Sequence, residues 1–295
     1  MLNYKQALRP TNTALQVVSH SKPKLLDEVR TRLRFRHYSL RTERSYTDWI
    51  KRFILFNGKR HPRNLGAPEI TAFLSSLATE GHVAASTQNQ ALSAILFLYK
   101  QVLKVDLPWL DDIVRAKEPK RLPVVLNPAE VARLLAQLEG THALMAKLMY
   151  GTGMRLMECV RLRVKDIDFI SKEIVVRDGK GGKDRVTMLP ISMVKLLKVH
   201  LKRVKVLYES DRVAKLPGVY LPNALEKKYK KAGEEWGWYW VFPSRTLSVD
   251  PQSNIQRRHH THEQALQRAV KRAARLAGIT KPATTHSLRH SFATH

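Results

Sequence analysis

Cysteine is nearly absent from this 295-residue chain. Cys159 stands alone, so no internal disulfide can form, and a reducing compartment fits. Acidic residues are scarce too: 25 Asp and Glu face 52 Lys and Arg, a formal net charge of +27. Such an excess repels itself unless a polyanion lies close, and DNA or RNA is the natural one. No apolar run reaches the length of a membrane span, and the N-terminal residues lack the apolar core of a secretory signal. These absences point to a cytoplasmic protein with no membrane partner. What is present is 43% apolar residues, enough for real cores, with the basic residues spread over most helix-patterned segments rather than held in one tail.

The pattern predicts a mainly α fold with a small β-sheet, in two domains. Residues 1–23 are polar and aperiodic and read as a flexible arm. Leu25, Val29 and Leu33 then recur every four residues, the mark of a helix. Ser39 is placed to cap a second helix with Tyr46, Trp49, Ile50, Phe53 and Ile54 on one face. A third helix opens at Pro68 and stops at Gly81, and a fourth begins after Ser86, which makes a helical domain over 24–105. Three prolines in 106–125 argue against continuous helix and read as a linker, one that lets two domains close on a duplex as a C-shaped clamp. The second domain, 126–295, opens on a helix with Asn127 as cap, Pro128 in the first position, Glu130 reaching back and Gly140 as stop. Short strands are expected at Ile174–Arg177 and Arg185–Leu189, joined by the turn "DGKGGKD" and followed by a basic helix over about 191–209. Residues 210–260 break the rhythm with Trp236, Trp238, Trp240 and the run "QRRHH", and a long interruption of this kind is usually functional. A helix over 261–278 restores the pattern.

Three short motifs carry possible chemistry. In "GTGMRLMECVRL" two glycines loosen the backbone before Arg155, which opens a helix beside free N–H groups, a setting that favours a phosphate. Lys180, with Lys183 near it, sits at a turn tip where a lysine can reach a leaving oxygen. His286 and Arg289 are three apart and share a helix face. Alone, the first is more often a surface arginine after an ordinary turn, the second is much more commonly a solvated turn lysine, and the third is as often a surface pair.

In that order, "GTGMR…GKGGKDR…HSLRHSFATH" resembles the tyrosine recombinase family over residues 24–295. The resemblance implies an N-terminal core-binding domain and an α+β catalytic domain. It implies that Arg155 and Arg289 bind the scissile phosphate, that Lys180 protonates the leaving 5′ oxygen, and that His286 assists proton transfer. Glu158 matches a family acid that supports the site. No metal or other cofactor is implied, because arginines neutralise the charge. "RHYSLRTERSY", "LPVVL" and "RRHH" further resemble the integron integrases, whose inserted segment corresponds to about 210–260. That narrower resemblance implies bacterial DNA partners, attI duplex and folded single-stranded attC, the latter read through extruded bases. Trp238, His259 and His260 are then candidates for holding those bases, with Arg257, Arg258 and Lys183 as further DNA contacts.

The family's nucleophilic tyrosine lies a few dozen residues past the His-x-x-Arg box, with a second box histidine or tryptophan between. The sequence stops six residues after Arg289. A truncated chain is the expectation drawn from this, one that binds DNA without recombining it. Tetramer assembly on paired sites is in doubt by the same reasoning, and the surface near Leu288 and Phe292 is expected to be poorly covered.

Overall fold

The computed structural model describes residues 24–105, 115–117, 122–179, 182–222, 225–251 and 253–295. The arm 1–23, most of the linker, and Lys180 lie outside the described residues. The chain divides into two compact units, 1–120 and 121–295.

The first unit is helical: α1 (Leu25–Phe35), α2 (Leu40–Phe56), α3 (Ala67–Thr79) and α4 (Ala85–Phe97), with one wide turn over Leu98–Leu103. Ser39 Oγ accepts from the Thr42 N–H at 3.2 Å, the expected cap. Val29, Leu33, Ile50, Phe53, Ile70, Ile95 and Leu98 form the buried centre. Each full burial of such a side chain contributes roughly 1.5–3 kcal/mol. Glu43 is buried in α2 and accepts a fork from Arg34 of α1 at 2.8 and 2.9 Å. Asn89 of α4 exchanges two hydrogen bonds with the Ala116 backbone, at 2.9 and 3.0 Å, and so ties down this part of the stretch read as linker.

The second unit begins with α5 (Pro128–Ala136), closed by the expected reciprocal cap between Asn127 and Glu130, both bonds 2.8 Å. Gly140 does not end this helix. It opens α6 (Gly140–Thr152) at φ +55°, the left-handed geometry a sharp interhelical turn needs. The short α7 (Leu156–Val160) follows, then an antiparallel sheet in the order β1 (Ile167–Asp168), β2 (Glu173–Val176), β3 (Arg185–Met188). Val176 pairs with Arg185 at the end of the β2–β3 ladder. The basic helix α8 (Ile191–Val213) runs four residues past its expected end. After the single-turn α9 (Leu225–Lys228) comes a hairpin that sequence periodicity did not reveal, β4 (Pro243–Val249) with β5 (Gln256–His260). The unit closes with α10 (Glu263–Leu276) and α11 (Thr285–Thr294). Its core gathers Leu134, Leu148, Met154, Val160, Ile174, Leu197, Phe242, Val270 and Leu288. Leu288 is therefore fully covered, against expectation, because α11 packs on α6, whereas Phe292 is exposed as expected. Among the described residues no helix is long and apolar enough to cross a membrane.

Candidate active site and nucleic-acid interface

Two chain reversals place the site. Gly153 ends α6 at φ +63°, and Arg155 caps α7. Glu158 reaches back one turn, accepting the Arg155 backbone N–H at 2.7 Å and its guanidinium at 2.8 Å. The same carboxylate accepts a two-pronged bond from Arg185 of β3, at 2.9 and 2.7 Å. Burial disfavours the charged carboxylate, but the hydrogen bonds from Arg185 and Arg155 outweigh it and hold Glu158 at a pKa of about 2. Arg289 of α11 donates to the Gly153 carbonyl. Burial, and then repulsion from Arg155, lower the Arg289 pKa, which places the two guanidiniums within each other's field. Thr152, Gly153, Arg185, Thr187, Arg289 and Phe292 line a cavity of about 230 Å³ here.

Three guanidiniums thus converge around one buried carboxylate and leave an excess of two positive charges. Planar guanidiniums grip the non-bridging oxygens of a phosphate in pairs, and charge developing at phosphorus is stabilised without reorganisation. His286 occupies the second position of α11 and is exposed, open to a ligand. His290, one turn on, lies 6.3 Å from it between ring centroids. Lys183 is exposed, and its carbonyl closes the β2–β3 turn onto the Gly179 N–H at 3.1 Å.

Glu158 gives the stability of this unit an acid limb. Its folded pKa lies below the ordinary value of 4.5, so its contribution is complete above about pH 4.5 and is lost as pH falls towards about 2. The stability gap between the native chain and Glu158→Gln, measured by urea unfolding, should be constant from pH 7 to 5 and narrow below pH 4.5. A gap independent of pH down to 3 would show that the carboxylate is not held as described.

The insert departs from expectation at two residues. Arg257 and Arg258 cannot contact DNA as they stand, because both are buried. Arg257 is 1% exposed and donates to Glu226 at 3.0 Å and Ser253 at 3.3 Å. Arg258 forks onto Asp211 of α8 at 2.7 and 2.5 Å and also donates to the Ser244 and Arg245 carbonyls. Successive residues of a strand point to opposite faces, and here both faces of β5 are covered. Tyr239 completes the cluster, its hydroxyl donating to Asp211 at 2.5 Å. Burial and that bond raise the Tyr239 pKa, so this hydroxyl is committed and poorly nucleophilic.

The three tryptophans divide their work. Trp240 is core, its indole N–H donating to the Arg258 carbonyl at 3.2 Å and its ring lying 3.9 Å from the Arg163 guanidinium. Trp236 packs with Tyr208 and Tyr239. Trp238 is half-buried, and the Lys165 ammonium sits 2.8 Å from its ring centre. His260 lies edge-on to Trp240 and bonds the Thr261 carbonyl at 2.8 Å. His259 stands beside it, and burial lowers the pKa of both, so both are neutral hydrogen-bonding groups at pH 7.

With this geometry, comparison with known proteins is informative. The model of the phage integrase N-terminal SAM-like domain matches residues 25–109, and that of the phage integrase family matches 124–295. An integrase/recombinase of Escherichia coli is 55% identical over 271 residues, spanning 92% of this chain and 80% of that one. The tyrosine recombinase XerA of Thermococcus kodakarensis is 27% identical over 92% of this chain and 80% of its own length. In fold, the chain is similar to a lambda integrase dimer bound to a COC′ core site, with a TM-score of 0.59, 18% identity, and coverage of 91% of this chain and 84% of that one. A SAM-like helical unit, a mainly helical catalytic unit with small sheets, and matches across both units agree: this chain belongs to the phage integrase family of tyrosine recombinases.

Proposed function

We propose that this chain carries the phosphate grip of a site-specific recombinase of integrons, which joins attI duplex to folded single-stranded attC through a 3′-phosphotyrosine intermediate. The observation that carries the recombinase reading is the gathering of three guanidiniums: Arg155 and Arg185 both bond Glu158, and Arg289, within the field of Arg155, lines a cavity with Arg185. In this reading Arg155 and Arg289 hold the scissile phosphate, His286 moves a proton, and Lys180 and Lys183 approach the DNA from the β2–β3 turn.

The integron reading rests on His259 and His260, which stand on a hairpin braced by the Arg258–Asp211 pair, and on Trp238 in the turn that precedes it. One observation favours a second reading, a Xer- or phage-type recombinase that reads duplex only: the Trp238 ring already carries Lys165, so a base must displace that ammonium. Affinity for a folded attC hairpin and for the same sequence as perfect duplex, at matched salt, separates them. Stacking contributes roughly 1–3 kcal/mol per base, so the integron reading expects about 10-fold tighter binding of the hairpin and loss of that preference in Trp238→Ala. Equal affinities would select the duplex-only reading.

A further inference from the structure

The phosphate cradle contains one residue that neither the motifs nor the family resemblance assigns. We infer that Arg185 is a positioning residue for the cradle, its guanidinium fork fixing Glu158 and, through Glu158, the guanidinium of Arg155. This rests on reading Arg155 and Arg289 as the phosphate grip.

The geometry is specific. Glu158 is 5% exposed, and its two oxygens accept four hydrogen bonds, two from Arg155 and two from Arg185. Arg155 caps a helix of only five residues, which by itself supplies little rigidity. Arg185 comes from a different element, the first residue of β3, anchored by its pairing with Val176. It therefore ties the short α7 to a sheet. Gly179, at the base of the turn, lies directly beside the Arg185–Glu158 pair, and it is the turn's own backbone that excludes a side chain there: a Cβ would stand 2.7 Å from the Lys183 carbonyl oxygen. Arg185 also lines the cavity wall with Arg289, while Arg155 is joined to Arg185 through Glu158. A planar fork is required for this, and lysine cannot provide it.

The test uses the 295-residue chain, inorganic phosphate as the probe, and arginine side-chain NMR as the readout. In the native chain the Arg155 guanidinium should rotate slowly and show resolved Nη signals. In Arg185→Lys, which keeps the charge, those signals should average, and phosphate affinity at Arg155 and Arg289 should fall about 10-fold, the loss expected from a misplaced charge-assisted bond. Glu158→Gln should fall by a similar factor. The double variant should fall no more than about 2-fold beyond Glu158→Gln, because Arg185 acts through that carboxylate. Arg185→Gln, with circular dichroism as fold control, should match Arg185→Lys. The inference is overturned if Arg185→Lys keeps the Arg155 signals and native affinity, which would make charge alone sufficient. It is equally overturned if the two losses multiply in the double variant, which would mean that Arg185 touches phosphate itself. If phosphate moves neither Arg155 nor Arg289 in the native chain, the grip reading fails, while the Arg155 signals in Arg185→Lys still decide the positioning role.

Discussion

Asp211→Ala is expected to destabilise the C-terminal unit by about 3–5 kcal/mol, the range for removing one partner of a buried ion pair. Asp211 is 3% exposed in its side chain and Arg258 is 9% exposed, so neither charge has water to fall back on. Without the carboxylate, Arg258 keeps only two backbone carbonyl acceptors, and Tyr239 is left with a buried hydroxyl that has lost its acceptor. Burial opposes ionisation of Asp211, but the Arg258 and Tyr239 hydrogen bonds win and lower its pKa. Its contribution is thus complete above the ordinary carboxylate pKa and is lost as pH falls through the lowered one. Urea unfolding followed by tryptophan fluorescence measures the loss directly, since Trp236 and Trp240 report on this cluster. A loss under about 1 kcal/mol would mean the cluster is not what braces β5.

In the proposed function the consequence runs through His259 and His260, which share β5 with Arg258. A pair of histidines on an unbraced hairpin would have to be ordered each time DNA bound, at a cost in affinity. The buried arginines are in this sense the reason the insert can present anything at all. A basic run that looks like a DNA contact is here the internal fixing of the surface beside it.

That inversion marks the limit of what the sequence discloses. Local periodicity reports helices well, because the spacing of Leu25, Val29 and Leu33, or the Asn127–Glu130 cap, is complete within a turn or two. The pairing of Arg155 with Glu158 is legible for the same reason, at a separation of three. Arg258 meets Asp211 across 47 positions and Arg257 meets Glu226 across 31, and no local pattern encodes either. Exposed and buried arginines look alike in a sequence, since the partner that neutralises one lies elsewhere in the chain. The β4–β5 hairpin escaped because its residues do not alternate apolar with polar: both faces of β5 are covered by ion pairs rather than by a core. Arg185 was visible in "GKGGKDR" but carried no role, because its partner sits 27 positions earlier on another element. A signal did exist: Glu158, surrounded in sequence by apolar residues, had to be buried and so needed more than one cation.

Gly153→Ala tests the geometry that sets Arg289, and its effect should be nearly as large as that of Asp211→Ala. Gly153 has φ +63°, where an L side chain costs about 1–2 kcal/mol. An alanine Cβ would also stand 2.5 and 2.7 Å from two carbons of the Phe292 ring, too close to coexist, and relieving such overpacking costs about 1–3 kcal/mol. The expected loss is about 3 kcal/mol, seen as a fall in the unfolding midpoint of roughly 2–4 °C per kcal/mol. Because the Gly153 carbonyl accepts from Arg289, any backbone shift at Gly153 that relieves strain or clash carries over to the guanidinium on α11. Phosphate affinity should therefore fall along with stability. Adding Phe292→Ala separates the two causes: the double variant should recover the overpacking part and keep the backbone strain, ending about 1–2 kcal/mol below Phe292→Ala alone. If Phe292→Ala recovers nothing, the ring is not what Gly153 makes room for. If Gly153→Ala alone costs nothing, the turn between α6 and α7 does not hold Arg289 in place.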